Sequence, residues 1–151
     1  MENNNQKSID ALNNLLEINN DRIEGYKHAL KETEESDLKT LFSEFANTSY
    51  KCQLELSAEV EKLGGKPVEG TRNTGKLYRT WMDLKAALTN KDRKAILNSC
   101  EYGEDVAVKN YEDTLKGDAL ETPVYNLVNS QLGKIKSEHD KIKSLRDSLK
   151  K

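Results

Sequence analysis

The chain has 151 residues, a length that suits one domain with a substantial core. Hydrophobic residues make up 35% and charged residues 33%, and there are only 8 glycines and 2 prolines, a balance typical of long helices with solvated outer faces. The net charge of −2 argues against a general nucleic-acid-binding protein. No apolar run reaches the ~20 residues that span a bilayer, and no signal core or CxxC pair is present, so we expect a cytoplasmic protein without a transmembrane segment.

The N-terminal half predicts a helical hairpin after a disordered tail at residues 1–7. The first helix is expected from about Ser8 to Glu34, with Asn19 interrupting its apolar stripe. The second is expected from about Asp37 to Leu63, with Ser36-Asp37 as its N-cap and Gly64-Gly65 as its stop. The first stripe consists of Ile9, Leu12, Leu16, Ile23, Tyr26 and Leu30. The second consists of Leu38, Leu41, Phe45, Cys52, Leu56, Val60 and Leu63.

A long connection, about residues 64–90, separates this hairpin from the next helix. Residues 64–75 hold four glycines and Pro67, and they predict a loop. A short amphipathic helix is expected over residues 76–88. Its shared face consists of Leu77, Trp81, Leu84 and Leu88. We expect Trp81 to anchor this helix to the bundle, with a role in an interface as the alternative.

The C-terminal half predicts a second hairpin. A third long helix is expected over about Lys91–Lys116 and a fourth over about Glu121–Leu149, with Pro123 tolerated in its first turn. The inward positions of the third are Ile96, Cys100, Gly103, Ala107, Tyr111 and Leu115. Those of the fourth are Val124, Val128, Gln131, Ile135, His139, Ile142 and Leu149. Short turns near residues 35 and 119 make both helix pairs antiparallel, so residues 8–151 predict one all-α four-helix-bundle domain.

Four strings carry a resemblance to a known family. They are Gly64-Gly65 with Pro67, the run from Trp81 to Leu88, the run from Cys100 to Ala107, and His139-Asp140. Through these strings, over about residues 8–146, the chain resembles an uncharacterised bacterial four-helix-bundle family of the ferritin-like superfamily. The resemblance implies a ferritin-like antiparallel bundle with a long crossover connection. It also implies a homo-oligomer, for which a dimer is the simplest form, and it implies no particular activity.

A ferritin-like di-metal site needs a glutamate from each of two helices and Glu-x-x-His from each of the other two. This chain has no Glu-x-x-His, because Lys136 precedes His139 by three residues and Gly25 precedes His28. Residues equally far from the turns lie at one height in an antiparallel bundle. The corresponding level consists of Asn19, Gln53, Leu56, Glu104, Lys136 and His139. Only Glu104 and His139 ligate transition metals well, so we expect no two-metal centre and keep these two as residual metal candidates.

Lys136 is expected at the height of Glu104, and a buried carboxylate is costly unless it is paired. We therefore hypothesise that Lys136 is the charge partner of Glu104. Cys52, Cys100, Tyr26 and Tyr111 fall on apolar stripes and are expected to be core residues rather than reactive groups.

Three functions remain open. The first is a non-catalytic structural or interaction protein, associated with stress, whose metal site is degenerate and which has no cofactor. The second is a metal-binding protein that stores or oxidises iron, or binds another divalent transition metal, through an unorthodox site. The third is a bundle that binds lipid or a protein partner through its basic last helix. That helix and its end carry Lys134, Lys136, Lys141, Lys143, Arg146, Lys150 and Lys151. No catalytic motif is present, so we do not expect an enzyme.

Overall fold

Five α-helices make up the part of the chain that the structure describes. The computed structural model describes residues 2–70 and 75–149, with side chains for residues 5–70 and 79–149. The helices are α1 (Glu2–Glu32), α2 (Ser36–Lys62), α3 (Gly75–Thr89), α4 (Arg93–Lys116) and α5 (Thr122–Ser148). No strand occurs within these ranges, so the predicted all-α class with one shorter helix is confirmed. None of the described helices is long and apolar enough to cross a membrane.

The four long helices pack as two hairpins, α1 with α2 and α4 with α5. At one end of the bundle, Arg93 at the start of α4 contacts Glu35 in the turn after α1, at 2.7 Å. At the other end, the Ser8 hydroxyl near the start of α1 donates to the carbonyl of Ala119 in the turn after α4. Helices α1 and α4 therefore run antiparallel.

Helices α2 and α5 are also antiparallel neighbours. Lys141 binds Glu44 at 2.8 Å, and Gln131, ten residues earlier in α5, donates to Glu55 at 3.0 Å. The order around the core is therefore α1, α2, α5 and α4, and each helix runs antiparallel to both of its neighbours.

Helix α2 ends in the predicted glycine cap. Gly64 has φ +84°, a left-handed conformation that glycine adopts without steric cost. The amide of Gly65 donates to the carbonyl of Val60, and that of Gly64 to the carbonyl of Glu61, both at 3.0 Å. These two bonds are the Schellman pattern that terminates a helix. The connection then follows α1 as far as Gly70, and residues 71–74 of the predicted loop lie outside the described residues.

Two predicted boundaries are wrong. Helix α1 is assigned from Glu2 rather than Ser8, so the tail expected to be disordered is helical from residue 2. No glycine or proline interrupts those residues, and Gln6 donates to Asp10 one turn later. The N-cap of α2 is Glu35, without a side-chain cap bond, rather than Ser36-Asp37. Asp37 is instead engaged by Arg93 at 2.7 Å.

Helix α3 is held to the bundle by Trp81, whose side chain is buried as predicted. The indole ring lies against Gly25 of α1 and Gly103 of α4, two positions without a side chain. It also makes an edge-to-face contact with the ring of Tyr26, with centroids 5.3 Å apart. Leu84 and Leu88 are buried on the same face, whereas the side chain of Leu77 lies outside the described ones.

We predict that Gly25→Ala destabilises the protein by about 1–3 kcal/mol, because the new Cβ would overpack the core. That Cβ would lie 2.5 Å from a carbon of the rigid Trp81 ring. Gly133→Ala is the matched control, since a Cβ at this helical position meets nothing within 4 Å. The control should stabilise α5 by roughly 0.5–1 kcal/mol through helix propensity. Urea unfolding measures the stability of both variants. Equal changes in stability at the two sites would contradict the packing of Trp81 on Gly25.

Candidate functional site

The most unusual feature of the core is an arginine with no solvent exposure. Arg22 of α1 donates from Nε and Nη2 to the two carboxylate oxygens of Glu104 in α4, at 2.9 and 2.7 Å. Nη2 also donates to Glu138 of α5 at 2.9 Å. All three side chains have 0% relative exposure. One guanidinium therefore cross-links three helices through charge-assisted hydrogen bonds, two of which form a bidentate pair.

Three hydroxyl groups complete the hydrogen bonding. Tyr26 donates to Glu104 at 2.9 Å, and Thr48 of α2 donates to Glu138 at 2.6 Å. Nη1 of Arg22 donates to the hydroxyl of Ser49 at 2.7 Å, which brings in the fourth helix. The central ion cluster consists of Arg22, Tyr26, Thr48, Ser49, Glu104 and Glu138.

The surroundings of the central ion cluster shift the pKa values of its members. Burial alone would lower the pKa of Arg22, but Glu104 and, to a smaller degree, Glu138 outweigh it and raise that pKa. Burial, aided by Glu104, holds the pKa of Tyr26 well above its usual value. The guanidinium carbon also lies 5.4 Å from the ring centre of Tyr26 and 5.8 Å from that of Phe45. The cation is thus both paired and flanked by aromatic rings.

A second polar group lies next to the central ion cluster. Asn19 donates to the hydroxyl of Tyr111 at 2.9 Å, Tyr111 donates to Gln131 at 2.7 Å, and Gln131 donates to Glu55. The interruption of the first stripe at Asn19 thus provides a partner for a buried tyrosine, as buried hydroxyls require.

Both cysteines are buried and reduced, as expected of core residues. Burial raises the pKa of Cys52 to about 11 and also raises the pKa of Cys100, where Glu104 adds to the effect. Both thiols therefore stay protonated at neutral pH, the unreactive form.

Lys136 does not take the role hypothesised for it. Its side chain is 58% exposed, and its ammonium lies 3.7 Å from Glu112. The charge that faces Glu104 is that of Arg22. Of the other residues at the predicted level, Gln53 donates to Asn20 at 2.7 Å and Leu56 is buried.

Glu104 and His139 do not point at a common centre. The oxygens of Glu104 are occupied by Arg22 and Tyr26, whereas His139 lies at the surface between Asp105 and Asp140. Its Nε2 is 2.5 Å from Asp105, and its Nδ1 is 3.2 Å from Asp140. Within residues 2–70 and 75–149, no group of three or more His, Cys, Asp or Glu residues is arranged to hold a metal ion.

Arg22 and Glu138 are the two functional residues that the sequence patterns missed. In α5, both Glu138 and His139 fit between Ile135 and Ile142 at three- and four-residue spacing, and periodicity does not choose between them. In α1, Arg22 falls three residues after Asn19, so it was available as an inward position. Its residue type gives no signal for burial, because arginine usually lies at the surface.

Two bases of the last helix pair with acids on neighbouring helices. Lys141 binds Glu44 of α2, and Arg146 binds Glu101 of α4. The neutralised part of this helix is thus less suited to attract an anionic surface than its composition indicated.

Comparison with known protein families identifies the family of this chain. Residues 7–117 match the family described as domain of unknown function (DUF2383). This chain belongs to the DUF2383 family. The match runs from α1 through α4, so it includes Arg22 and Glu104 but not Glu138 or His139. No curated protein matches the sequence.

We predict that Arg22→Met destabilises this DUF2383 protein by about 3–5 kcal/mol, because it strands two buried carboxylates. Arg93→Met is the control, since Arg93 pairs with Glu35 and Asp37 at the surface and its loss should cost about 1 kcal/mol or less. Chemical denaturation of both variants measures the difference.

A triple variant with Arg22→Met, Glu104→Leu and Glu138→Leu should recover most of the lost stability, because no charge is then left unpaired. An Arg22→Met cost no greater than that of Arg93→Met would contradict this account of the central ion cluster.

We also predict a pH-dependent contribution from His139. Burial opposes its protonation, but hydrogen bonds to Asp140 and Asp105 outweigh this and raise its pKa. A raised pKa means that the folded state binds the proton more tightly, so the stabilisation is present at low pH and lost as pH rises through the folded pKa. Wild type should therefore exceed His139→Gln in stability by more at about pH 5.5 than at about pH 8.5. Asp105→Asn should reduce this difference, and unfolding curves at the two pH values give the test.

Proposed function

We propose that this protein is a non-catalytic structural or interaction protein, a ferritin-like bundle in which a buried guanidinium replaces the metal centre. The observation that carries the proposal is the position of Arg22 between Glu104 and Glu138 with no solvent exposure. These are the inward carboxylates of α4 and α5 that a metal would need. Both already accept hydrogen bonds from a cation that belongs to the chain.

The course of the chain supports the ferritin-like assignment. Helix α2 ends beside Ile9, near the start of α1, where a Cβ on Gly65 would lie 2.9 Å from the Ile9 side chain. Helix α4 starts beside Glu35, at the opposite end of α1. The connection that contains α3 therefore travels the length of the bundle. A long crossover of this kind distinguishes ferritin-like bundles from simple up-and-down ones, and it agrees with the bacterial ferritin-like resemblance of the sequence.

The residues at the centre do not fit a two-metal site. Such a site takes four carboxylates and two histidines, whereas the central ion cluster offers two carboxylates and no histidine. Arginine does not deprotonate at any ordinary pH, so a metal ion would face a fixed positive charge at hydrogen-bonding distance from its ligands.

A scaffold role agrees with the surface of the bundle. Met82 of α3 and Tyr102 of α4 line one groove and are 44% and 49% exposed, which offers apolar contact area to another protein. We propose a cytoplasmic homo-oligomer with a stress-related role. Light scattering should give a mass above that of one chain, and a monomer mass at all micromolar concentrations would contradict the oligomer.

Metal analysis tests the proposal directly. Protein purified without a histidine tag, then incubated anaerobically with ferrous iron and desalted, should retain far less than one metal ion per chain. Glu104→Gln and His139→Gln should leave that value unchanged. Retention of two ions per chain, lost in those variants, would establish the alternative of an iron-storing or iron-oxidising protein. Co-sedimentation with anionic liposomes would favour the lipid-binding alternative.

A further inference from the structure

The charges of the central ion cluster do not balance. Glu104 and Glu138 together supply two negative charges, and Arg22 supplies one positive charge. Among the described residues, Arg22 is the only arginine or lysine in the buried class. An unpaired charge without access to water is strongly unfavourable, and a buried group usually takes or loses a proton instead. The excess charge therefore calls for a proton on one of the two carboxylates.

Hydrogen bonding decides which carboxylate takes it. Both oxygens of Glu104 accept from Arg22, and one also accepts from Tyr26, so three donors already point at this carboxylate. Glu138 accepts only one bond from Arg22. Its other oxygen accepts one bond from the Thr48 hydroxyl, so Glu138 has fewer donors around it than Glu104.

We propose that the central ion cluster is a proton-binding site, in which Glu138 holds one proton in the folded bundle at neutral pH. Release of this proton leaves a net negative charge between α1, α4 and α5 and weakens their packing. The proposal goes beyond the structural role above and does not require it, because it concerns only the protonation of the centre.

The groups that face Glu138 support this assignment. Burial raises the pKa of Glu138, and the like charge of Glu104 adds to it, against the opposing effects of Arg22 and Thr48. Two groups of α2, Glu44 and Cys52, also interact electrostatically with Glu138, which contributes to the shifts of their pKa values. The pKa of Glu44 is lowered mainly by a hydrogen bond from Lys141, and a hydrogen bond from Glu138 contributes as well.

That last contact supplies a route for the proton. Glu44 is partly exposed, with 34% of its side chain accessible, and it is paired with Lys141 of α5 at the surface. A proton on Glu138 is donated to the Glu44 carboxylate, which is in contact with water. Glu44 thus links Glu138 to the surface of the bundle.

The pH dependence has a definite sign. An unfolded glutamate titrates near a pKa of about 4.3. A folded carboxyl with a raised pKa holds its proton above that value, so the folded state binds more protons, and stability falls as pH rises. The folding equilibrium constant falls by at most about tenfold per pH unit while one proton is released. His139 acts in the same direction, so the two must be separated.

The test uses the full chain in a His139→Gln background, with urea unfolding measured between about pH 5 and pH 8.5. The parent should lose stability as pH rises. Glu138→Gln should abolish most of this slope and be at least as stable as the parent at the highest pH. The amide is uncharged like the protonated carboxyl, and it can likewise accept from Arg22 and donate to Glu44. Glu61→Gln, at an exposed position of α2, is the matched control and should keep the parental slope.

Infrared spectroscopy gives a second readout that does not depend on stability. At neutral pH the parent should show the carbonyl stretch of a protonated carboxylic acid, and Glu138→Gln should lack it. Equal slopes in the parent and Glu138→Gln, or no such band in the parent, would overturn the proposal. Iron retention has no bearing on either readout, so failure of this proposal and failure of the structural role are distinguishable.

Discussion

The bidentate pair between Arg22 and Glu104 is the contact on which the rest of the core depends. It joins α1 to α4, and the other hydrogen bonds of the Arg22 guanidinium reach Ser49 of α2 and Glu138 of α5. A buried ion pair rarely adds much net stability over an apolar core of the same shape. We infer that the pair favours this arrangement of the four helices over others, because an arrangement that separates Arg22 from Glu104 leaves both charges buried without a partner.

The packing of α3 against the bundle also depends on the residues around this ion pair. Trp81 packs on Gly25 and Gly103, and its ring edge meets Tyr26, whose hydroxyl binds Glu104. The connecting helix is therefore one aromatic ring away from the buried charges. The indole Nε1 of Trp81 is buried without a hydrogen-bond partner among the described residues. This lowers stability, and the packing of the ring offsets the loss.

The sequence predicted the helices well and the centre poorly, for a physical reason. Helix positions follow from periodicity and from breakers such as Gly64, which need only local information. The choice between Glu138 and His139, or between Lys136 and Arg22 as the partner of Glu104, depends on rotations of a few tens of degrees about the helix axes. Periodicity admits both members of each pair. The deciding information is the match of charges across helices, and an arginine in the sequence does not by itself indicate a buried position.

The sequence separation of the central contacts has a consequence for folding kinetics. Arg22 lies 82 residues from Glu104 and 116 from Glu138, so neither hairpin can satisfy it alone. Each hairpin forms from nearby residues, whereas the guanidinium finds its acceptors only when the two hairpins dock. Contacts that form after the rate-limiting step of folding change the unfolding rate rather than the folding rate. We therefore expect the contacts of Arg22 to form late in folding and to slow the unfolding of the docked bundle more than they speed its folding.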